Sequence, residues 1–176
     1  EAYATNHDPK AAKKAAETTI KEMLEYTYHN ESATVDVNEA KKDVSHQRYT
    51  ALMHACKTGN LEIVKKLIEQ FNANPTVISK VMKTTPLLLA CQGIPLGGGP
   101  PENYHAIVEL LLQNGADVNS IDSDGNYPLL IAVMKNDIRM VQILLGEPIQ
   151  LLEKDKQELL EMAKSRRFYA LYWELK

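Results

Sequence analysis

One short pattern recurs along this chain and restricts what it can fold into. Thr50-Ala51-Leu52-Met53-His54-Ala55, Thr85-Pro86-Leu87-Leu88-Leu89-Ala90 and Tyr127-Pro128-Leu129-Leu130-Ile131-Ala132 share one layout. With Ala163, the marker alanines Ala55, Ala90 and Ala132 stand 35, 42 and 31 residues apart. A period of thirty-odd residues is the signature of a stacked array, in which no single unit can bury its own apolar face. The clearest unit runs from Gly115 to Leu145. Gly115 ends one helix, because glycine takes the left-handed conformation without a Cβ penalty, and the Asp/Gly-rich run after it is turn chemistry. Pro128 is pre-set for a first helical position and opens a short helix. Asp137 then caps a second helix, whose Ile138, Val141, Leu144 and Leu145 fall on one face.

A turn, a helix, a tight turn and a helix in about thirty residues resembles one ankyrin repeat. Thr85 to Cys91 looks like the family opening T-P-L-H-x-A, and Ile107 to Asn119 looks like its second helix and exit. Thr50 to Ile68 is an earlier copy. The resemblance covers Arg48 to about Gly146. It implies an all-α fold, an ankyrin-repeat solenoid of stacked helix-turn-helix units with short hairpin fingers and helical caps at both ends. The expected divisions are 1–47 as an N-terminal helix and linker, 48–146 as repeats (about 48–79, 80–121 and 122–146), and 147–176 as a helical cap or degenerate fourth repeat.

The segments outside the clear copies fit that plan. Asp8-Pro9 reads as a helix start, and Ala12, Ala16, Ile20, Met23, Leu24 and Thr27 form one stripe as far as about Tyr28. This helix is an altered first repeat or a cap. Asn30 to Gln47 is polar, and its Val35-Asp36-Val37-Asn38 echoes the exit Ala116-Asp117-Val118-Asn119. Between the helices of the middle copy lies Gly93-Ile94-Pro95-Leu96-Gly97-Gly98-Gly99-Pro100-Pro101. It lacks the Gly-Lys-Ser/Thr of a phosphate loop and reads as a tolerated surface loop, with Ile94 and Leu96 available for recognition. From Ile149 to Lys176 two further helices are expected, with part of the aromatic end docking on the 138–145 helix as the C-terminal cap.

Composition narrows the function. The 176 residues carry 20 basic and 23 acidic side chains, a net charge of −3 with no long block of either sign, which argues against a dedicated binder of nucleic acid or acidic membrane. No apolar run approaches the length of a membrane span, and the N-terminus has no apolar signal core. The chain begins at Glu1, which is read as a processed form or a fragment of something longer. Cys56 and Cys91 occupy equivalent positions on stacked helices, about 8–10 Å apart, beyond the roughly 7 Å between Cα atoms that a disulfide tolerates. They are expected to be reduced, buried thiols, which places the chain in the cytoplasm or nucleus.

No catalytic constellation emerges. His54 and Cys56 diverge around their helix, so Cys56 reads as a small core residue. The five histidines show no metal spacing with the cysteines, and the carboxylates lie on solvent faces. The expectation is no enzyme, no cofactor and no metal.

The resemblance instead implies a scaffold that binds another protein through fingertips and concave helix face, as a monomer, without nucleic acid or membrane. The family's contact positions fall on His46, Gln47, Tyr49, Lys57 and Thr58; on Val81, Met82, Thr84 and Gln92; and on Ser123, Asp124, Asn126, Met134 and Lys135. The alternative is a targeting or substrate-positioning segment of a larger enzyme or host-directed effector. Drift from the family pattern gives the chain the look of ankyrin modules that intracellular bacteria deliver into host cells, which would place it in host cytosol. Met53, Leu88 and Leu130 replace the motif histidine, so apolar packing must replace its hydrogen bonds. Arg48 and Lys83 replace the glycine before the motif, and Phe71-Asn72-Ala73 replaces Gly-Ala-Asp. Distorted fingers are expected there.

Overall fold

A computed structural model describes residues 49–93 and 99–176, together with Thr18 and Asn38. The expected helix from Asp8 to Tyr28, His46 and Gln47, and the centre of the Gly/Pro insertion therefore lie outside the described residues.

Among the described residues eight α-helices follow one another in pairs: α1 (Ala51–Thr58) with α2 (Leu61–Glu69), α3 (Pro86–Gln92) with α4 (Pro101–Gln113), α5 (Pro128–Met134) with α6 (Ile138–Leu145), and α7 (Glu153–Ser165) with α8 (Tyr169–Leu175). The first helices of each pair form one row, α1 on α3 on α5 on α7. The second helices form another, α2 on α4 on α6 on α8. This is the all-α solenoid expected from the period, and the last pair continues both rows.

Local chemistry starts the helices where the sequence says it should. Thr50 and Thr85 accept the N–H of Met53 and Leu88 on their hydroxyls, each at 3.2 Å. Asn60 and Asp137 do the same for Ile63 at 3.2 Å and Met140 at 3.0 Å. Each bond satisfies an N–H that the helix itself leaves unpaired. Pro86 and Pro128 stand in the first turns of α3 and α5. Pro101 does likewise for α4, so the second helix of the middle repeat starts six residues before Ile107, and the end of the insertion is helical.

Burial follows the helical period. Val64, Leu67 and Ile68 are buried on α2, Tyr104, Ile107, Val108 and Leu111 on α4, and Met140, Val141 and Leu144 on α6. The spacing i, i+3, i+4, i+7 places each set on the stripe that faces the first-row helices. Of the first-row helices α1, α3 and α5 are buried almost all round, α3 between α1 and α5; Leu87, Leu88, Leu89 and Ala90 are at most 1% exposed. Each large side chain so buried contributes roughly 1.5–3 kcal/mol. Met53 and Leu88, which replace the motif histidine, are fully buried and Leu130 is partly buried, so apolar contact does stand in for its bonds.

The expected finger distortion does not extend to the backbone turns. Asn72, at φ 50°, takes the left-handed conformation that Gly115 takes at 85°, and Lys83, at φ 50°, takes that of Gly125 at 81°. The turn type is retained and the side chain bears the strain. Asn74 and Asp117 likewise close matching turns, each accepting an N–H two residues on, from Thr76 at 2.8 Å and Asn119 at 2.9 Å. The echo at Asn38 also has a counterpart in bonding. Asn38 accepts the N–H of Asn74 at 2.7 Å, as Asn119 accepts that of Gln150 at 2.7 Å.

Candidate protein-interaction surface

The connections between pairs project as fingers, residues 70–85 and 114–127, and they are joined to each other. Ser123 donates its N–H to the carbonyl of Met82 at 3.0 Å, and the hydroxyls of Thr85 and Ser120 meet at 3.3 Å. Each finger is braced internally. Ser79 donates to the carbonyl of Thr84 at 2.8 Å in the first. In the second, the buried Asp122 carboxylate accepts the backbone N–H groups of Asp124 and Asn126, both at 2.9 Å, and the Asn126 side-chain amide. Rigid, cross-linked tips hold their side chains in place before any partner arrives.

Those tips expose aliphatic side chains. Ile78 is 59% exposed and Val81 52% on the first finger, and Ile121 is 59% exposed on the second. Isolated apolar side chains on a surface need no explanation. Three of them stand on two fingers that are tied to each other. Ile78 and Ile121 were not among the expected contact positions; Ile121 stands alone in the polar run 119–126, a signal the sequence offers, whereas Ile78 follows Val77 in a mixed run and carries none.

Of the expected contact residues, Val81, Ser123, Asp124, Met134 and Lys135 are exposed, while Lys57, Met82, Gln92 and Asn126 are half-buried. Three expectations are corrected. Tyr49, 4% exposed, is not a surface anchor. It packs with Met53, Leu89 and Val77, its ring meets His54 edge-on at 5.5 Å, and the Lys57 ammonium lies 5.3 Å from its centre. Thr58 is buried because its hydroxyl turns back to the carbonyls of His54 at 3.0 Å and Ala55 at 3.2 Å. Thr84 is buried in the first finger's closing turn, its Oγ1 without a hydrogen-bond partner.

Lys135 is occupied as well. Its ammonium donates to the carbonyls of Cys91 at 3.0 Å and Gln92 at 2.8 Å, placing a cation on the C-terminal end of α3, where the helix dipole favours one. The next repeat caps α1 in the same way: Gly99 donates to the carbonyl of Thr58 at 2.9 Å, Asn103 to Gly59 at 3.1 Å and Tyr104 to Lys57 at 3.3 Å. His105 meets both oxygens of Asp137 at 2.9 Å. At this end, away from the fingers, the polar groups hold one repeat to the next.

Cys56 and Cys91 are free, buried thiols. Burial pushes the Cys56 thiol far up, with the neighbouring Cys91 adding to the effect. Burial also pushes Cys91 up to about 12, partly opposed by Lys135 and reinforced by Asp137. Neither is a thiolate near neutral pH, so neither is a ready nucleophile. Among the described residues no three His, Cys, Asp or Glu side chains are grouped to hold a metal ion, and no helix is long and apolar enough to cross a membrane.

Family comparison decides what this stack is. Two family models of ankyrin repeats match, one described as three copies over residues 10–98 and one as many copies over 102–145. The chain belongs to the ankyrin repeat family. Repeats of this family are generally protein–protein interaction modules. Similar proteins include the glycerophosphocholine phosphodiesterase GDE1 of Candida albicans, 30% identical over 121 residues, which are 69% of this chain and 9% of that protein. The ankyrin repeat and KH domain-containing protein mask-1 of Caenorhabditis elegans is 26% identical over 122 residues, 69% of this chain and 4% of its own length. A putative E3 ubiquitin-protein ligase of Plasmodium falciparum is 27% identical over 164 residues, 86% of this chain and 2% of its own. This chain thus spans less than a tenth of the length of each. The α7–α8 pair lies beyond the matched residues, yet it stacks on the ankyrin repeats as a further helix pair.

Proposed function

We propose that this ankyrin-repeat chain is a non-enzymatic interaction module that takes a partner protein on its joined fingertips and the adjoining ends of the first-row helices. The observation that carries this reading is the exposure of Ile78, Val81 and Ile121 on two fingers tied by the Ser123 N–H to the Met82 carbonyl. Pre-ordered aliphatic side chains at a protruding edge lose little conformational entropy on docking and gain from leaving water. Met134, 45% exposed, lies at the C-terminal end of α5, away from the fingers. The two buried thiols suit a reducing compartment such as cytosol or nucleus.

The test is a triple substitution, Ile78→Ser, Val81→Ser and Ile121→Ser, compared with the unaltered chain in affinity capture followed by mass spectrometry. The expected result is loss of the captured partner with a nearly unchanged thermal midpoint. Retention of the partner would place the docking surface elsewhere.

A second reading, in which the chain positions substrates or targets for a larger enzyme, draws on the phosphodiesterase relative, of which this chain spans only 9%. A catalytic domain in the same reading frame would favour it. An uninterrupted array of repeats there would favour the first.

A further inference from the structure

The two joined fingers carry opposite charge as well as exposed aliphatic side chains. Residues 70–85 contain Lys80 and Lys83 and no acidic residue. Residues 114–127 contain Asp117, Asp122 and Asp124 and no lysine or arginine. Lys80, Lys83, Asp117 and Asp124 are all exposed. Ile78, Val81 and Ile121 are exposed on the same two fingers. No ion pair joins the two fingers among the described residues, whose ion pairs are His105 with Asp137, Arg139 with Glu109 and Lys154 with Glu158. The Ser123 N–H to Met82 carbonyl bond keeps the basic and acidic fingers side by side.

A partner that covers the aliphatic side chains also takes these charges out of water, which is unfavourable unless each meets its opposite. A phosphate backbone or an anionic bilayer would satisfy Lys80 and Lys83 but be repelled by Asp117 and Asp124. A polypeptide can carry both signs in order. We infer that the fingertips take a segment of a partner protein whose charge is ordered: carboxylates over the 70–85 finger, aliphatic side chains on Ile78, Val81 and Ile121, and cations over the 114–127 finger. This rests on the reading of the fingertips as the docking surface and adds the partner's chemistry and its direction of binding.

The probe is a random dodecapeptide library displayed on phage and selected on the full chain. The expected winners carry Asp or Glu on one side of an aliphatic centre and Lys or Arg on the other. Against such a peptide, the double variant Lys80→Glu, Lys83→Glu should lose about tenfold or more in affinity. Adding Asp124→Lys leaves two acidic groups and one basic group on the 114–127 finger, so the combined variant should select peptides with cations over the 70–85 finger and a weakened preference for cations over the other. Asp124 is chosen because its carboxylate braces no turn, whereas Asp117 and Asp122 do. Thermal midpoints check that each variant folds, and Lys80→Ala alone is the milder substitute. Winners without charge order, or peptides indifferent to Lys80→Glu, Lys83→Glu yet lost on the triple serine variant, would overturn the inference and leave the fingertip surface standing. Winners that bind the triple serine variant as well as the unaltered chain would remove both.

Discussion

The phenol ring of Tyr104 occupies the space that a side chain on Gly59 would need. A Cβ built at position 59 comes within 2.6 Å of the Tyr104 Cζ, and Gly59 has φ 69°. Two constraints therefore act on one glycine: a left-handed turn that ends α1, and an aromatic ring from the neighbouring repeat whose hydroxyl donates to the Lys57 carbonyl at 3.3 Å. Gly59→Ala should destabilise the chain by about 2–4 kcal/mol, combining backbone strain with displacement of the ring. Urea unfolding checks this, and in a Tyr104→Ala background the added effect of Gly59→Ala should fall to about 1 kcal/mol, the backbone part alone.

Leu111 is fully buried in the last turn of the longest described second-row helix, within the continuous apolar core of the stack. Leu111→Ala should cost on the order of 2–5 kcal/mol, because the stack on both sides limits how far the void can close. A measured cost below about 0.5 kcal/mol would mean that the buried stripe of α4 is misassigned.

Lys83 holds φ 50° without being glycine, where the last full repeat has Gly125. Lys83→Gly relieves the Cβ clash but loosens the unfolded chain, so the net gain should be about 0.5–1 kcal/mol, read as a raised thermal midpoint. The same substitution removes one of the two cations on the first finger. Stability rising while affinity for the selected peptide falls is therefore the expected combination.

The thiols set an alkaline limit on stability. Cys91 moves from its ordinary 9.0 up to about 12 in the folded chain, and Cys56 moves in the same direction. Above pH 9 the unfolded chain loses these protons and the folded chain keeps them. The stabilisation is complete below about pH 9 and declines as pH rises toward 12. Unfolding free energy should thus be insensitive to the thiols from pH 6 to 8 and fall above pH 9, measured in urea. The Cys56→Ala, Cys91→Ala double variant should fall less steeply over the same range. Identical slopes would show that the alkaline loss comes from other groups.

Much of the fold was legible because its determinants are local or periodic. Pro86 and Pro128 open helices by their own fixed φ, Thr50, Thr85 and Asp137 cap them within three residues, and the i, i+4 stripes select which face is buried. The finger turns are local too, although lysine at 83 and asparagine at 72 disguised them, since a left-handed residue can be imposed by its surroundings as well as chosen by glycine. Exposure was read less well. Family positions placed Tyr49, Thr58 and Thr84 on the surface, where the structure buries them, and passed over the exposed Ile78 and Ile121.

The sequence by itself determined the repeat length, the helix starts and the apolar stripe of each helix, all consequences of backbone chemistry acting over a few residues. Only the stacking decided which side chains stayed outside. Tyr49 is buried because Leu89 of the next repeat and Val77 of its own finger lie against it. Lys135 is spent on the carbonyls of Cys91 and Gln92, more than forty residues earlier. The oppositely charged fingers lie side by side because the Ser123 N–H to Met82 carbonyl bond and the Thr85–Ser120 hydroxyl contact join them. Burial and charge pairing are properties of neighbours in space, and in a solenoid those neighbours belong to the next repeat.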